Sequence, residues 1–220
     1  SIDHQLVTQC RRMPLSLYGC ADRIVHALGD KIRYVENLKS WFSWDGRRWR
    51  EVPDGMAPEQ VQNLLAVLLP GEAKGYADSD EAKRAWRFVQ EVHNRGLGGV
   101  MDLVAQRRMM RIDPGSLNAM PELLNCANGT VDLRTGRLVP AAQEHFFTTM
   151  TPVAFVANSE APVTWLKLLN DWCDGDAGKI EFLRRWCGYC LTGRTWAAKM
   201  LFLYGPGNNG KSTFVKILRQ

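Results

Sequence analysis

The chain lacks any apolar run long enough to span a bilayer. Its first residues, Ser1-Ile2-Asp3-His4, carry no basic-then-apolar targeting pattern. These two absences predict a cytoplasmic protein with no membrane partner. There is no internal repeat and no low-complexity segment, which excludes a solenoid and a flexible linker. Cysteine is sparse. The six present (Cys10, Cys20, Cys126, Cys173, Cys187 and Cys190) are scattered through periodic segments, so a disulfide-stapled fold is excluded and free thiols are predicted. Cys187-Gly188-Tyr189-Cys190 has no second CxxC to complete a zinc site and no thioredoxin-like context. With Ile180 and Leu183 the two thiols fall on one helical stripe, which predicts buried core cysteines. His4, His26, His93 and His145 have no ligand-like spacing, and no nucleophile–base arrangement stands out.

What remains is ordinary globular material with one exceptional stretch. The 220 residues are 45% hydrophobic, enough for one or two domains with a real core. The net charge of +5 is compatible with a polyanionic partner without requiring one. The exceptional stretch is the apolar run Met200-Leu201-Phe202-Leu203-Tyr204, followed by Gly205-Pro206-Gly207-Asn208-Asn209-Gly210-Lys211-Ser212-Thr213. A strand, a glycine-rich turn ending in Gly-Lys-Ser and a helix from about Lys211 have the spacing of a phosphate-binding P-loop. Gly207 and Gly210 let the backbone curl so that its N–H groups point inward, and the helix start adds its positive end. Lys211 supplies a mobile charge for the β- and γ-phosphates. Ser212 offers a hard oxygen for Mg²⁺.

The rest predicts an α+β chain, mainly helical with short antiparallel hairpins. Residues 1–40 read as helical up to Gly29-Asp30, then as an edge strand over Lys31–Val35. Asp45-Gly46 between aromatic flanks predicts a two-residue hairpin in which Trp44 faces Arg47 and Phe42 faces Trp49. Three helices follow. The first runs from Pro58 to a stop at Pro70. The second is capped by Asp78 or Ser79, with Ala82, Ala85, Trp86, Val89 and Val92 inward. The third, from about Val100 to Met110, carries Arg107, Arg108 and Arg111 near its C-terminal end. The turns Asn128-Gly129 and Arg134-Thr135-Gly136 predict a meander of three short strands ending at Pro140. Two helices, parted by Asp174-Gly175-Asp176, lead to the P-loop. The aromatic–basic hairpin is read first as a packed ribbon. The alternative is a nucleic-acid surface formed by Arg47, Arg48 and Arg50 with Arg107, Arg108 and Arg111.

In order along the chain, these features resemble a family. Leu124-Asn125-Cys126-Ala127-Asn128-Gly129-Thr130-Val131-Asp132-Leu133-Arg134-Thr135-Gly136 is similar to a signature of phage and plasmid primase–helicases, relatives of the poxvirus primase–helicase. Trp44-Asp45-Gly46-Arg47-Arg48-Trp49, Gly188-Tyr189-Cys190-Leu191-Thr192-Gly193 and the P-loop fit the same family. Pro140-Ala141-Ala142 departs from it where a histidine is usual. The resemblance implies the start of a superfamily 3 AAA+ helicase after residue 194, preceded over 1–194 by a collar or DNA-handling region with a subdivision near 113. It implies ATP or another nucleoside triphosphate, Mg²⁺ on Ser212, DNA (single-stranded or forked) as partner, a homo-hexamer, and a phage- or plasmid-encoded replication protein in a bacterial cell. The acidic, sensor and arginine-finger groups of such motors lie downstream of the P-loop, so the resemblance also implies a truncated motor that does not hydrolyse ATP by itself. Rival readings are a non-catalytic single-strand-binding module, an oligomerisation collar and another P-loop enzyme such as a small kinase.

Overall fold

The computed structural model describes residues 4–53, 56–205, 207 and 209–219. The chain is α+β, with helices dominant and two small sheets. It divides into two units. One is Ser1–Asp45 with Trp49–Leu117, and the other is Gly46–Arg48 with Asn118–Gln220.

In the first unit, helices α1 (His4–Cys10), α2 (Leu17–Leu28), α3 (Glu59–Lys74), α4 (Ser79–Arg95) and α5 (Gly98–Ala105) accompany a four-stranded sheet. The sheet orders β1 (Ile32–Val35), β2 (Ser40–Trp44), β3 (Trp49–Glu51) and β4 (Arg111–Ile112) as β3-β2-β1-β4. Local chemistry sets the helix starts. The Ser16 hydroxyl accepts from the Gly19 N–H at the head of α2, and the Asp78 carboxylate accepts from the N–H groups of Asp80 and Glu81 at the head of α4. The core gathers Ile24, Val61, Leu68, Val92, Val104 and Met110. Burying this apolar surface is the main favourable term for the unit.

Several expectations change here. Helix α3 does not stop at Pro70 but continues to Lys74. Pro70 withholds one backbone donor, yet Leu69, Glu72 and Ala73 around it are buried, so tertiary packing carries the helix through. On α4 the buried stripe is Ala85, Phe88 and Val92, while Trp86 lies outward. Helix α5 ends at Ala105, so Arg107 and Arg108 lie beyond it. The hairpin closes with four loop residues, not two. Trp44 pairs with Trp49 and Phe42 with Glu51. This register sets the two indole rings 5.6 Å apart across the ribbon and buries Trp49 completely. Strand β4 runs parallel to β1, with Val35 opposite Ile112.

The second unit holds the meander β5 (Leu123–Cys126), β6 (Gly129–Asp132) and β7 (Arg137–Val139), then α6 (Val163–Trp172), α7 (Ala177–Leu191) and α8 (Lys211–Leu218). Three asparagines tie the segment 148–155 to it. Asn118 and Thr148 exchange two hydrogen bonds, as do Asn128 and Phe155. Asn125 Nδ2 donates to the carbonyls of Thr149 and Arg47, both at 3.1 Å. This is the physical content of the Leu-Asn-x-x-Asn-Gly stretch: two of its side chains reinforce the backbone bonds from Thr151 N–H to the Asn125 carbonyl and from Ala127 N–H to the Val153 carbonyl. Helix α7 buries no residue at all. Its predicted core stripe is half-buried at Cys187 and open at Cys190, because no element among the described residues covers it.

Candidate nucleotide-binding site

The glycine-rich loop enters α8 through Gly210, whose φ of +80° is the left-handed conformation that ends the curl. A Cβ at this position would lie 2.0 Å from the Trp172 ring, so both backbone angle and space demand glycine. Gly205 has φ +148°, and a Cβ there would meet Asn209. The loop therefore folds back on itself. Lys211 Nζ donates to the Gly205 carbonyl at 3.2 Å and to Asn209 Oδ1. The lysine sits at the mouth of the loop on the first turn of α8, with the exposed Ser212 beside it. Phe214 anchors the helix by stacking on Trp165 with centroids 5.8 Å apart. Gly207 is exposed, and Pro206 and Asn208 lie outside the described residues.

A cleft of about 340 Å³ opens against this loop, at the lower end of the range for small-molecule sites. Gly210 and Lys211 line it together with Trp172, Lys179, Phe182 and Tyr204. A second hollow, on the side of Ser212, adds Lys216 and Arg219. Cations thus face both sides of the loop, and no carboxylate lines either hollow among the described residues. The arrangement suits an anion with a flat or apolar appendage.

The helix that supplies Lys179 and Phe182 is well determined locally. The Asp176 carboxylate caps α7 by accepting from the N–H groups of Gly178 and Lys179. Those bonds, the one from Lys179 foremost, hold its carboxyl below the usual range. Glu181 is bonded by both Arg184 and Arg185, which lowers its pKa to about 2. Cys173, buried beside the cleft, has its thiol pKa raised by desolvation.

The expected strand Met200–Tyr204 has no regular secondary structure and joins no sheet among the described residues. Met200, Phe202 and Tyr204 are 74, 76 and 92% exposed, while Leu201 and Leu203 are half-buried. The alternation of a strand is present without a ladder partner. Trp172, Lys179 and Phe182 were not singled out from the sequence as lining residues. The i, i+3 spacing of Lys179 and Phe182 on a capped helix was the available signal.

Of the six arginines proposed for DNA, three are ion-paired. Arg50 pairs with Asp45 at 2.7 Å, Arg107 with Asp22 at 2.5 Å and Arg111 with Glu36 at 3.0 Å. Arg108 is exposed. The Arg47 carbonyl is held by Asn125, and the Arg48 side chain is half-buried.

Residues 21–174 match the model of the family described as D5 N terminal like. The chain belongs to this family. The match supports the resemblance to phage- and plasmid-type primase–helicases and places the D5 N terminal like chain among replication proteins of that kind. Both the signature around Asn125 and the hairpin at Asp45-Gly46 fall inside it, while the P-loop at 205–213 lies beyond its last matched residue. No helix of the described residues is long and apolar enough to cross a membrane, and no group of three or more His, Cys, Asp or Glu among them could hold a metal ion. No curated protein matches the chain.

Proposed function

We propose that the chain is the helicase-associated region and P-loop of a phage- or plasmid-type replicative primase–helicase. Residues 205–213 bind ATP or another nucleoside triphosphate with Mg²⁺, and the assembled protein, a homo-hexamer, uses that nucleotide to unwind DNA. The observation that carries this reading is Lys211 folded over the loop to Gly205 at the head of α8, in a chain of the D5 N terminal like family. On binding, Lys211 exchanges the Gly205 carbonyl and Asn209 for phosphate oxygens, which form stronger, charge-assisted bonds. Backbone N–H groups at the start of α8 face the same charge. The Ser212 hydroxyl fits one position of a Mg²⁺ shell completed by phosphate and water. Tyr204 offers a ring face for the base.

Chemistry is a separate matter. Hydrolysis needs a group that positions water and groups that stabilise developing charge. The described lining of the cleft contains lysine, arginine and aromatic residues but no carboxylate to orient water. The 220-residue polypeptide is therefore expected to bind nucleotide without turnover above background. Thermal unfolding tests the binding. ATP with Mg²⁺ should raise the midpoint, as any ligand selective for the folded state does. EDTA or Ser212→Ala should remove the part of the shift that depends on the metal. A midpoint indifferent to nucleotide would contradict the proposal.

A further inference from the structure

Charge is distributed very unevenly along the chain. Residues 177–220 hold eight Lys and Arg against a single carboxylate, Glu181, whereas residues 1–176 hold 20 against 22. The whole positive excess thus lies in the segment that contains α7 and the P-loop. The same segment carries a run of aromatic rings, exposed at its two ends, Phe182 and Trp196, and half-buried between them at Trp186 and Tyr189. Phe182, Trp186 and Tyr189 follow one another along α7, and Trp196 folds back on to Tyr189. Successive ring centroids are 6.4, 6.1 and 6.0 Å apart. Phe182 is 53% exposed and Trp196 74%, and no residue of α7 is buried.

Helical geometry places cations along this run. At about 100° per residue, Phe182, Trp186 and Tyr189 lie within about 60° of each other, with Lys179 and Arg185 bordering them on opposite sides. Lys179 rests 3.5 Å from Asp176, and Arg185 shares Glu181 with Arg184 at 2.7 Å. These pairs are exposed and so hold their cations weakly, which leaves them able to turn to a phosphate.

We propose that α7 and Trp196 form a stacking platform for single-stranded DNA, with bases on Phe182, Trp186, Tyr189 and Trp196 and the backbone phosphates on Lys179 and Arg185. Unpaired bases stack on aromatic side chains whatever their sequence, while duplex DNA hides its base faces. The choice of DNA rests on the replication reading above. The platform begins at the cleft, where Lys179 and Phe182 also line the nucleotide pocket, so a strand on it would lie next to a nucleotide in the P-loop.

The test is fluorescence anisotropy of a labelled 20-mer of thymidine titrated with the 220-residue chain. Binding should weaken as salt rises. Trp196→Ala and Arg185→Glu should each weaken it about fivefold or more, with unchanged circular dichroism. Trp196→Phe should restore most of the affinity lost by Trp196→Ala. Arg107→Glu, in the first unit, should change nothing. Lys211→Ala should weaken nucleotide binding about tenfold or more while sparing the 20-mer, which separates failure of this site from failure of the P-loop. Unchanged affinity in both platform variants would overturn the proposal. So would duplex DNA or single-stranded RNA of equal length binding more tightly than the 20-mer, or sedimentation showing that Trp196→Ala abolishes self-association instead of DNA binding.

Discussion

Arg23 and Glu72 form a two-pronged ion pair in the interior of the first unit. Arg23 Nε lies 2.9 and 3.1 Å from the two carboxylate oxygens and Nη2 lies 2.7 Å from Oε2, with both side chains essentially inaccessible to water. The guanidinium also donates to the carbonyls of Met13, Pro14 and Gly19, so its donors are used to join α2, α3 and the turn that precedes α2. Removing one partner of such a pair leaves a buried charge without its counterpart. Glu72→Gln should therefore cost about 3–5 kcal/mol in denaturant unfolding. Replacing both residues by methionine should recover part of that loss, but not all, because three carbonyls lose their donor. A Glu72→Gln cost below about 1 kcal/mol would show that the pair does not hold the helices together.

Thiol reactivity should follow burial. Cys20 is fully buried and desolvation raises its pKa to about 11; burial raises those of Cys10, Cys126 and Cys173 as well. Cys190 is exposed and Cys187 half-buried. Because the thiolate is the reactive form, a thiol reagent at pH 8 should label Cys190 first and Cys187 more slowly. The other four should react only after unfolding. Mass spectrometry of timed digests reads this order, and early labelling of Cys20 would contradict it.

Helix α7 should lose a small part of its stability in acid, small because its ion pairs are exposed and screened by solvent. Glu181 has a folded pKa of about 2 against an ordinary 4.5, owing to its bonds from Arg184 and Arg185, and the Asp176 cap is also depressed. A carboxylate whose pKa is lower in the folded state adds stability above its unfolded value and loses it as pH falls through the folded one. The contribution of Glu181 should thus be complete above about pH 5 and fade between about 4.5 and 2. Helical circular dichroism across that window should fall less steeply in Glu181→Gln than in the parent chain. Identical acid profiles would remove Glu181 from the account.

Much of the local structure was legible in the sequence. The meander appears where Asn128-Gly129 and Arg134-Thr135-Gly136 predict its turns, since those residue types meet a conformational demand that is local. Asp78 likewise marks the start of α4. The misses share a non-local cause. The hairpin register is settled by Trp44 meeting Trp49, the passage of α3 through Pro70 by burial of Glu72 and Ala73, and the Arg23–Glu72 pair joins positions 49 apart in the chain. On α7, periodicity identifies an apolar stripe but says nothing of whether another element covers it, which is why Cys190 was misplaced. In the candidate site, Lys211 and Ser212 come from a contiguous motif and could be read directly. Trp172, Lys179 and Phe182 reach the same cleft from separate helices, and only the fold brings them there.

The proposed function turns on whether the loop from Gly205 to Thr213 holds the phosphates of a nucleoside triphosphate. Isothermal titration of the 220-residue chain with ATP and Mg²⁺, beside the Lys211→Ala variant, measures this most directly. Saturable binding at one site per chain, weakened about tenfold or more by Lys211→Ala through loss of a charge-assisted bond, is the predicted result. Absence of binding, or equal affinity in the two proteins, would contradict it.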